Sequence, residues 1–160
     1  MEEKEVLLTQ EGYDKLEQEL DNLKKYAHDN GIQNVIFHGR KPSEEMPRYY
    51  TFADAMIVTL TANPLVSLTL PAKVQSYMAA GKPILASANG EIANVIKESG
   101  AGFCAHADDD SEFVDIVKLF LNNEERYNMG KNARKYYVNN FSKEIVMDKL
   151  EKILIKEAIY

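Results

Sequence analysis

The chain has 160 residues, 19 Lys and Arg against 25 Asp and Glu, and a formal net charge of −6. That length suits one domain with a real core, and that charge argues against nucleic-acid binding, which needs a basic face. The single cysteine, Cys104, excludes an internal disulfide, and Cys/His zinc spacing is absent, so no metal or cofactor is expected. No apolar run reaches the ~18–20 residues of a membrane span and no signal peptide opens the chain, so a cytoplasmic protein without stable membrane insertion is expected.

Residues 1–4 are charged, and residues 5–8 fit a short strand or an arm. Thr9 is placed to cap a helix, with Glu11 in its first turn. Leu16, Leu20, Leu23 and Ala27 recur at four and three residues, with Tyr13 one turn earlier, amid Glu and Lys. This spacing predicts an amphipathic helix over residues 10–28 with a narrow a/d seam, ended by Gly31. The spacing leaves open whether the seam docks on the rest of the chain or on a partner helix.

Residues 34–38 (NVIFH) read as a strand, and Gly39 turns the chain. Ser43 is placed to cap a helix through Ala53, with Met46 where a capping box has Glu and Pro47 in the tolerated first turn. Residues 55–60 (AMIVTL) read as a buried strand and residues 61–69 as a loop holding Asn63-Pro64.

The stretch 70–88, LPAKVQSYMAAGKPILASA, reads as a loop, a short helix, a tight turn and a buried strand. Pro71 suits a first helical turn, where a missing N–H costs nothing. Gly81 stands where a helix C-cap glycine belongs, and residues 84–86 are a short apolar run typical of a strand buried on both faces.

Asn89-Gly90 signals a turn, and residues 91–98 read as a helix with Ile92, Val95 and Ile96 on one face. Residues 103–105 are a short fourth strand, in whose apolar context Cys104 reads as a buried, inert thiol. Asp108, Asp109 and Asp110 supply a cap and favourable charge for a helix carrying Phe113, Ile116, Val117 and Phe120. Residues 124–139 form a further helix. Ser142 caps a last one, with Val146, Leu150, Ile153 and Leu154 expected inward.

The order is helix, then alternating strands and helices, then three helices. It predicts an α/β fold: a partial Rossmann-like domain of about four parallel strands with helices on both faces, preceded by an amphipathic helix and followed by C-terminal helices. Residues 1–30 form a leader and residues 31–160 the domain. Ligands in such sheets bind outside the carboxyl ends of the strands. Those ends are residues 39–41, 61–69 and 87–91 and the loop after Ala105. The helix beginning near Pro71 starts beside them, and its free N–H groups favour an anion. His28, His38 and His106 lie far apart without a nearby serine or carboxylate constellation, so no catalytic residue is assigned.

Residues 33–137 resemble the second half of the nucleotide-sugar-binding domain of retaining glycosyltransferases with two Rossmann-like domains (GT-B architecture, glycosyltransferase family 4 or group 1 type). NVIFHGRKPSEEMPRYYTFADAMIVTL resembles the family's strand, glycine, helix and strand. LPAKVQSYMAAGKPILASANGE resembles its signature of Pro, Lys, aromatic-Met-Ala, Gly-Lys-Pro and a later Gly-Glu. Glu124-Glu125-Arg126, Met129-Gly130 and Asn132-Ala133-Arg134, leading to Phe141, resemble its tail. The family includes bacterial polysaccharide and lipopolysaccharide transferases, so a role in polysaccharide biosynthesis and a nucleotide-diphosphate sugar as ligand are implied.

By position, the resemblance implies that Leu70, Pro71 and Ala72 offer backbone near the diphosphate and that Lys73 supplies positive charge. Gly39 and Arg40 would line the side facing the nucleotide. Where many members carry two glutamates eight residues apart, this chain has Leu68 and Ser76. Ser76 can make one hydrogen bond to a ribose but cannot hold both hydroxyls as a carboxylate can. Glu91 is an alternative polar contact at the next strand end or simply charge in the first turn of its helix.

The resemblance also implies that the family's first two strands and the acceptor domain are missing, so the site is expected to be catalytically incomplete in this chain. Strand 34–38 would then move next to 55–60 or leave both edges open. The opening EKEVLLTQEGYDKLEQELDNLKK resembles the start of Gre-type transcript-cleavage factors, without the acidic hairpin tip that holds a metal there, and suggests a chimera. Two readings follow: a donor-binding half-domain awaiting an N-terminal partner domain, or a non-catalytic scaffold that self-associates through the Leu16, Leu20 and Leu23 seam.

Overall fold

The computed structural model describes residues 9–158; the strand or arm expected at residues 5–8 lies outside them. Two compact units divide the chain, Met1–Pro42 and Ser43–Tyr160.

In the first unit, helix α1 spans Gln10–Asp29. Thr9 caps it, its side chain accepting from the Gly12 N–H at 3.2 Å. The cap satisfies one of the orphan donors at the helix start. Tyr13, Leu16, Leu20 and Leu23 are exposed along one side, and Ala27 is buried.

Residues 34–38, expected to be a strand, form none, and Val35, Ile36 and Phe37 are exposed. A β-branched run specifies only a preference for extended backbone, and a strand exists when a neighbour completes its ladder. Among the described residues the sheet has three strands rather than about four, and residues 34–38 belong to no ladder.

The second unit opens with a 3₁₀ turn, Ser43–Glu45, and helix α2, Met46–Phe52. Ser43 was expected to cap this helix. Its hydroxyl instead donates to the Glu44 carboxylate at 3.2 Å, and α2 starts without a side-chain cap. Three parallel strands follow in sequence order: β1 Met56–Thr59, β2 Ile84–Ser87 and β3 Gly102–Ala105. The register pairs Met56 with Ile84 and Ile84 with Gly102. Flanking bonds extend the ladders, from Met56 N–H to Pro83 O at 2.8 Å and from Ala88 N–H to Ala105 O at 3.0 Å.

Central strand β2 is buried along its whole length. Ile84 and Ala86 point to one face. There they join Val58 of β1, Val74 and Met78 of α4 (Ala72–Ala79), Ile92, Val95 and Ile96 of α5 (Glu91–Ser99), and Ala133 of α7 (Arg126–Asn140) in one core. Leu85 points the other way and is buried, on the face covered by α6 (Asp110–Leu121), where Phe120 is also buried. Helices thus lie on both faces, as alternation requires of a parallel sheet.

Helix α4 ends in a Schellman turn. Gly81 has φ +67, its N–H donates to Met78 O at 3.0 Å, and Lys82 N–H donates to Tyr77 O at 3.2 Å. Arg134 Nη1 donates to Ala79 O at 2.6 Å, placing a cation on the same negative helix end. The last helix, α8 (Lys143–Ala158), packs on α7. Val146, Leu150, Ile153 and Leu154 were expected inward but are 45–60% exposed. A seam at helical spacing marks a face fit for burial and does not itself provide a surface to bury it.

Candidate functional site

The carboxyl ends of β1, β2 and β3 share one rim, stitched by loop-to-loop contacts. After β1 the chain makes a short helix α3, Pro64–Ser67, capped by Asn63, whose side chain accepts from Leu65 N–H at 2.9 Å. The expected loop 61–69 therefore contains a helical turn. Asp108 lies in the left-handed region at φ 63, and its carboxylate accepts from Ala62 N–H at 2.8 Å. That joins the loop after β3 to the loop after β1. Asn89 accepts from Ala107 N–H at 3.2 Å, and Ser87 Oγ donates to His106 O at 3.0 Å, joining the loops after β2 and β3. Gly90 packs directly on Ser67, closing the circuit between the loops after β1 and β2.

This frame holds the start of α4 and, through Gly90, the start of α5. Leu70 packs against the core and anchors the approach. Pro71 was expected in the first turn; it is the N-cap, with φ −58 and ψ 141 and no side-chain cap bond. Its ring has no N–H, so it cannot donate to an anion as a backbone contact. Val74 N–H is bonded to Pro71 O at 2.9 Å. The donors left at the helix start are the N–H groups of Ala72 and Lys73. The Lys73 side chain is exposed and makes no hydrogen bond or ion pair among the described residues. Two N–H groups and an ammonium on one helical turn form an anion-favouring end.

Ser76 lies one turn further on, and its hydroxyl donates to Ala72 O at 3.2 Å. Its donor is thereby spent on its own helix, leaving oxygen lone pairs for a ligand. Glu91 is exposed at the first residue of α5, beside Gly90, without a side-chain hydrogen bond or ion pair among the described residues. Residues 70–73, Ser76 and Glu91 thus stand on one rim. Gly39, at φ +67, and Arg40 stand in the first unit, and the strand expected to end at them is not formed.

Of the three aspartates expected to supply the cap of α6, Asp109 does so, accepting from Glu112 N–H at 2.9 Å. His106 binds Glu112 twice: its N–H donates to Oε2, and Nδ1 lies 2.7 Å from the same oxygen. The hydrogen bond to Glu112 raises the His106 pKa above its ordinary value, and the backbone N–H of His106 lowers that of Glu112. The imidazolium–carboxylate state contributes fully between the two ordinary pKa values. It fades as pH rises through the raised His106 midpoint and as pH falls through the lowered Glu112 midpoint. In Glu112→Gln the His106 midpoint, followed by ring-proton NMR, is expected to fall; an unchanged midpoint would show that the contact does not persist in solution.

Cys104 is half-buried, with Sγ 3.4 Å from Ala88 O, and burial pushes its thiol pKa up. A protonated thiol is a poor nucleophile. A cleft of about 750 Å³ lies near the amino end of β2, lined by Gly81, Tyr127, Lys131, Arg134 and Lys135 among others. Its Arg134 already serves the carboxyl end of α4.

A model of the family described as glycosyl transferases group 1 matches residues 6–136. The chain belongs to the group 1 glycosyltransferases. The match takes in α1 as well as the sheet and the rim. Spore coat protein SA of Bacillus subtilis (strain 168) is 28% identical over 138 residues, which cover 82% of this chain and 35% of that protein. The chain thus spans about a third of the length of this curated relative. No solved structure matches. Among the described residues of this glycosyltransferase chain, no helix is long and apolar enough to cross a membrane.

The residues that hold the rim together, Asn89, Gly90 and Asp108, were not among the expected site residues. Asn89-Gly90 stood out only as a turn, and Asp108 only as helix-start charge. Positive φ at an aspartate is itself a known preference of that residue type, but its partner Ala62 is 46 residues away in sequence.

Proposed function

We propose that this chain binds a nucleotide-diphosphate sugar, acting as the donor-binding half of a glycosyl transfer. The observation that carries this reading is the start of α4: N–H groups at Ala72 and Lys73 and a Lys73 ammonium, without a partner among the described residues, at the carboxyl end of a parallel sheet in a group 1 glycosyltransferase chain. The diphosphate meets these donors, which offset its charge and, in transfer, that of the leaving nucleoside diphosphate. Leu70 fixes the approach and the Pro71 carbonyl closes the first turn. Ser76 accepts one hydrogen bond from the ribose, and Glu91 takes a second hydroxyl from across the rim.

This is binding chemistry. Lys73 and the backbone donors stabilise charge, and the carboxylate at Glu91 serves a hydroxyl rather than acting as a base. Turnover then depends on groups from an N-terminal partner domain, which brings the acceptor.

Titration calorimetry with UDP, GDP, ADP and their sugar derivatives tests the reading. At least one is expected to bind, and Lys73→Ala is expected to weaken it by roughly 1.5–3 kcal/mol, the worth of a charge-assisted hydrogen bond. Binding unchanged by that substitution would remove Lys73 from the site. No heat with any of them at millimolar ligand would remove the function.

A further inference from the structure

We propose that α1 is a dimerisation element that pairs in parallel with α1 of a second copy of this chain. Its apolar residues other than Tyr26 are Tyr13, Leu16, Leu20, Leu23 and Ala27. They fall at heptad positions a, d, a, d and a, while b, c and f hold only Glu, Asp, Lys, Gln, Asn and His. The first four are 38–54% exposed, so the seam offered to a partner runs from Tyr13 to Leu23, Ala27 being already buried.

Charge beside the seam selects both the occupant and its direction. The g and e positions next to the central leucines are Glu19 and Lys24, with Glu17 at the preceding e. In a parallel pair, g of one helix meets the following e of its partner. Glu19 then faces Lys24 of the other copy, twice by symmetry. In an antiparallel pair centred on the same seam, e meets e and g meets g. Glu17 then faces Glu17 and Glu19 faces Glu19, both repulsive. Within one copy, among the described residues, Lys24 reaches only Asp21, at 3.4 Å with both side chains largely exposed. Such a contact is worth little and yields readily to a better partner.

Sedimentation equilibrium of the full chain, Leu16→Glu, Lys24→Glu and the charge-swapped Glu19→Lys/Lys24→Glu pair tests this, with circular dichroism confirming that each variant folds. The wild type is expected to dimerise and Leu16→Glu to be monomeric. Lys24→Glu is expected to raise the dimer dissociation constant about tenfold, since two attractive pairs become repulsive, and the swap is expected to restore it. Direction is read in a Cys104→Ser background. Tyr13→Cys, at an a position towards one end of the seam, is expected to form disulfide-linked dimers readily under mild oxidation, because parallel helices bring the two copies of residue 13 face to face. A wild type that is monomeric at all concentrations, failure of the swap to restore dimerisation, or cross-linking only between Tyr13→Cys and Leu23→Cys chains would each overturn the proposal.

Discussion

Replacing Gly102 by alanine is expected to destabilise the second unit by about 3 kcal/mol or more, the range of severe overpacking. Gly102 opens β3 and stands opposite Ile84 in the central strand. A Cβ there would lie 1.9 Å from Ile84 O and within 3 Å of Ile84 C and N. No side chain can turn aside to relieve this, because the three nearest atoms are all backbone. The ladder must open at its first rung, including the bond from Ile84 N–H to Ala101 O. Ile84 is fully buried in the core, so the shift spreads into α4 and α5. Urea unfolding followed by circular dichroism reads the loss, and a midpoint within experimental error of wild type would show that β2 and β3 are not so closely paired.

The second large effect is expected at Gly90→Ala, about 2–4 kcal/mol from backbone strain and overlap together. Gly90 has φ +73 and ψ −131, a conformation open almost only to glycine. An added Cβ would also lie 2.1 Å from Ser67 O. Unlike Gly102, Gly90 sits on the rim, so its loss has a second readout. Ser67 lies three residues before Leu70, and Gly90 immediately precedes Glu91. Pushing them apart separates the start of α4 from the start of α5. Nucleotide affinity is therefore expected to fall at temperatures where Gly90→Ala is still folded. Stability lost with affinity unchanged would show that the Ser67 contact supports the fold without shaping the site.

Most helices were legible because their ends are written in local chemistry. Thr9, Asp109 and Gly81 each satisfy groups at a helix terminus within a few residues of themselves. Strands β1, β2 and β3 were legible as apolar runs between turns, and alternation with helices made them parallel. Residues 34–38 carry a similar run, yet no ladder includes them. Whether a run pairs is decided by what lies beside it, which local sequence does not contain. The same limit explains α8, whose apolar spacing was read correctly as a stripe and wrongly as a buried one.

The site divides along the same line. Lys73 at the start of α4 was readable, since helix start, lysine and strand end are all local features. The back-bonded hydroxyl of Ser76 was not, because Ala72 O competes for it only once the helix exists. Nor were the bonds from Asp108 to Ala62 and from Asn89 to Ala107, which depend on loops brought together by the sheet.

The most direct measurement is a titration of the isotope-labelled chain with nucleoside diphosphates, following backbone amide shifts residue by residue. The Ala72 and Lys73 amides are expected to move first and furthest, with Glu91 following, for at least one base. Shifts confined to the cleft at Lys131, Arg134 and Lys135, or none at millimolar ligand, would contradict donor binding at the start of α4.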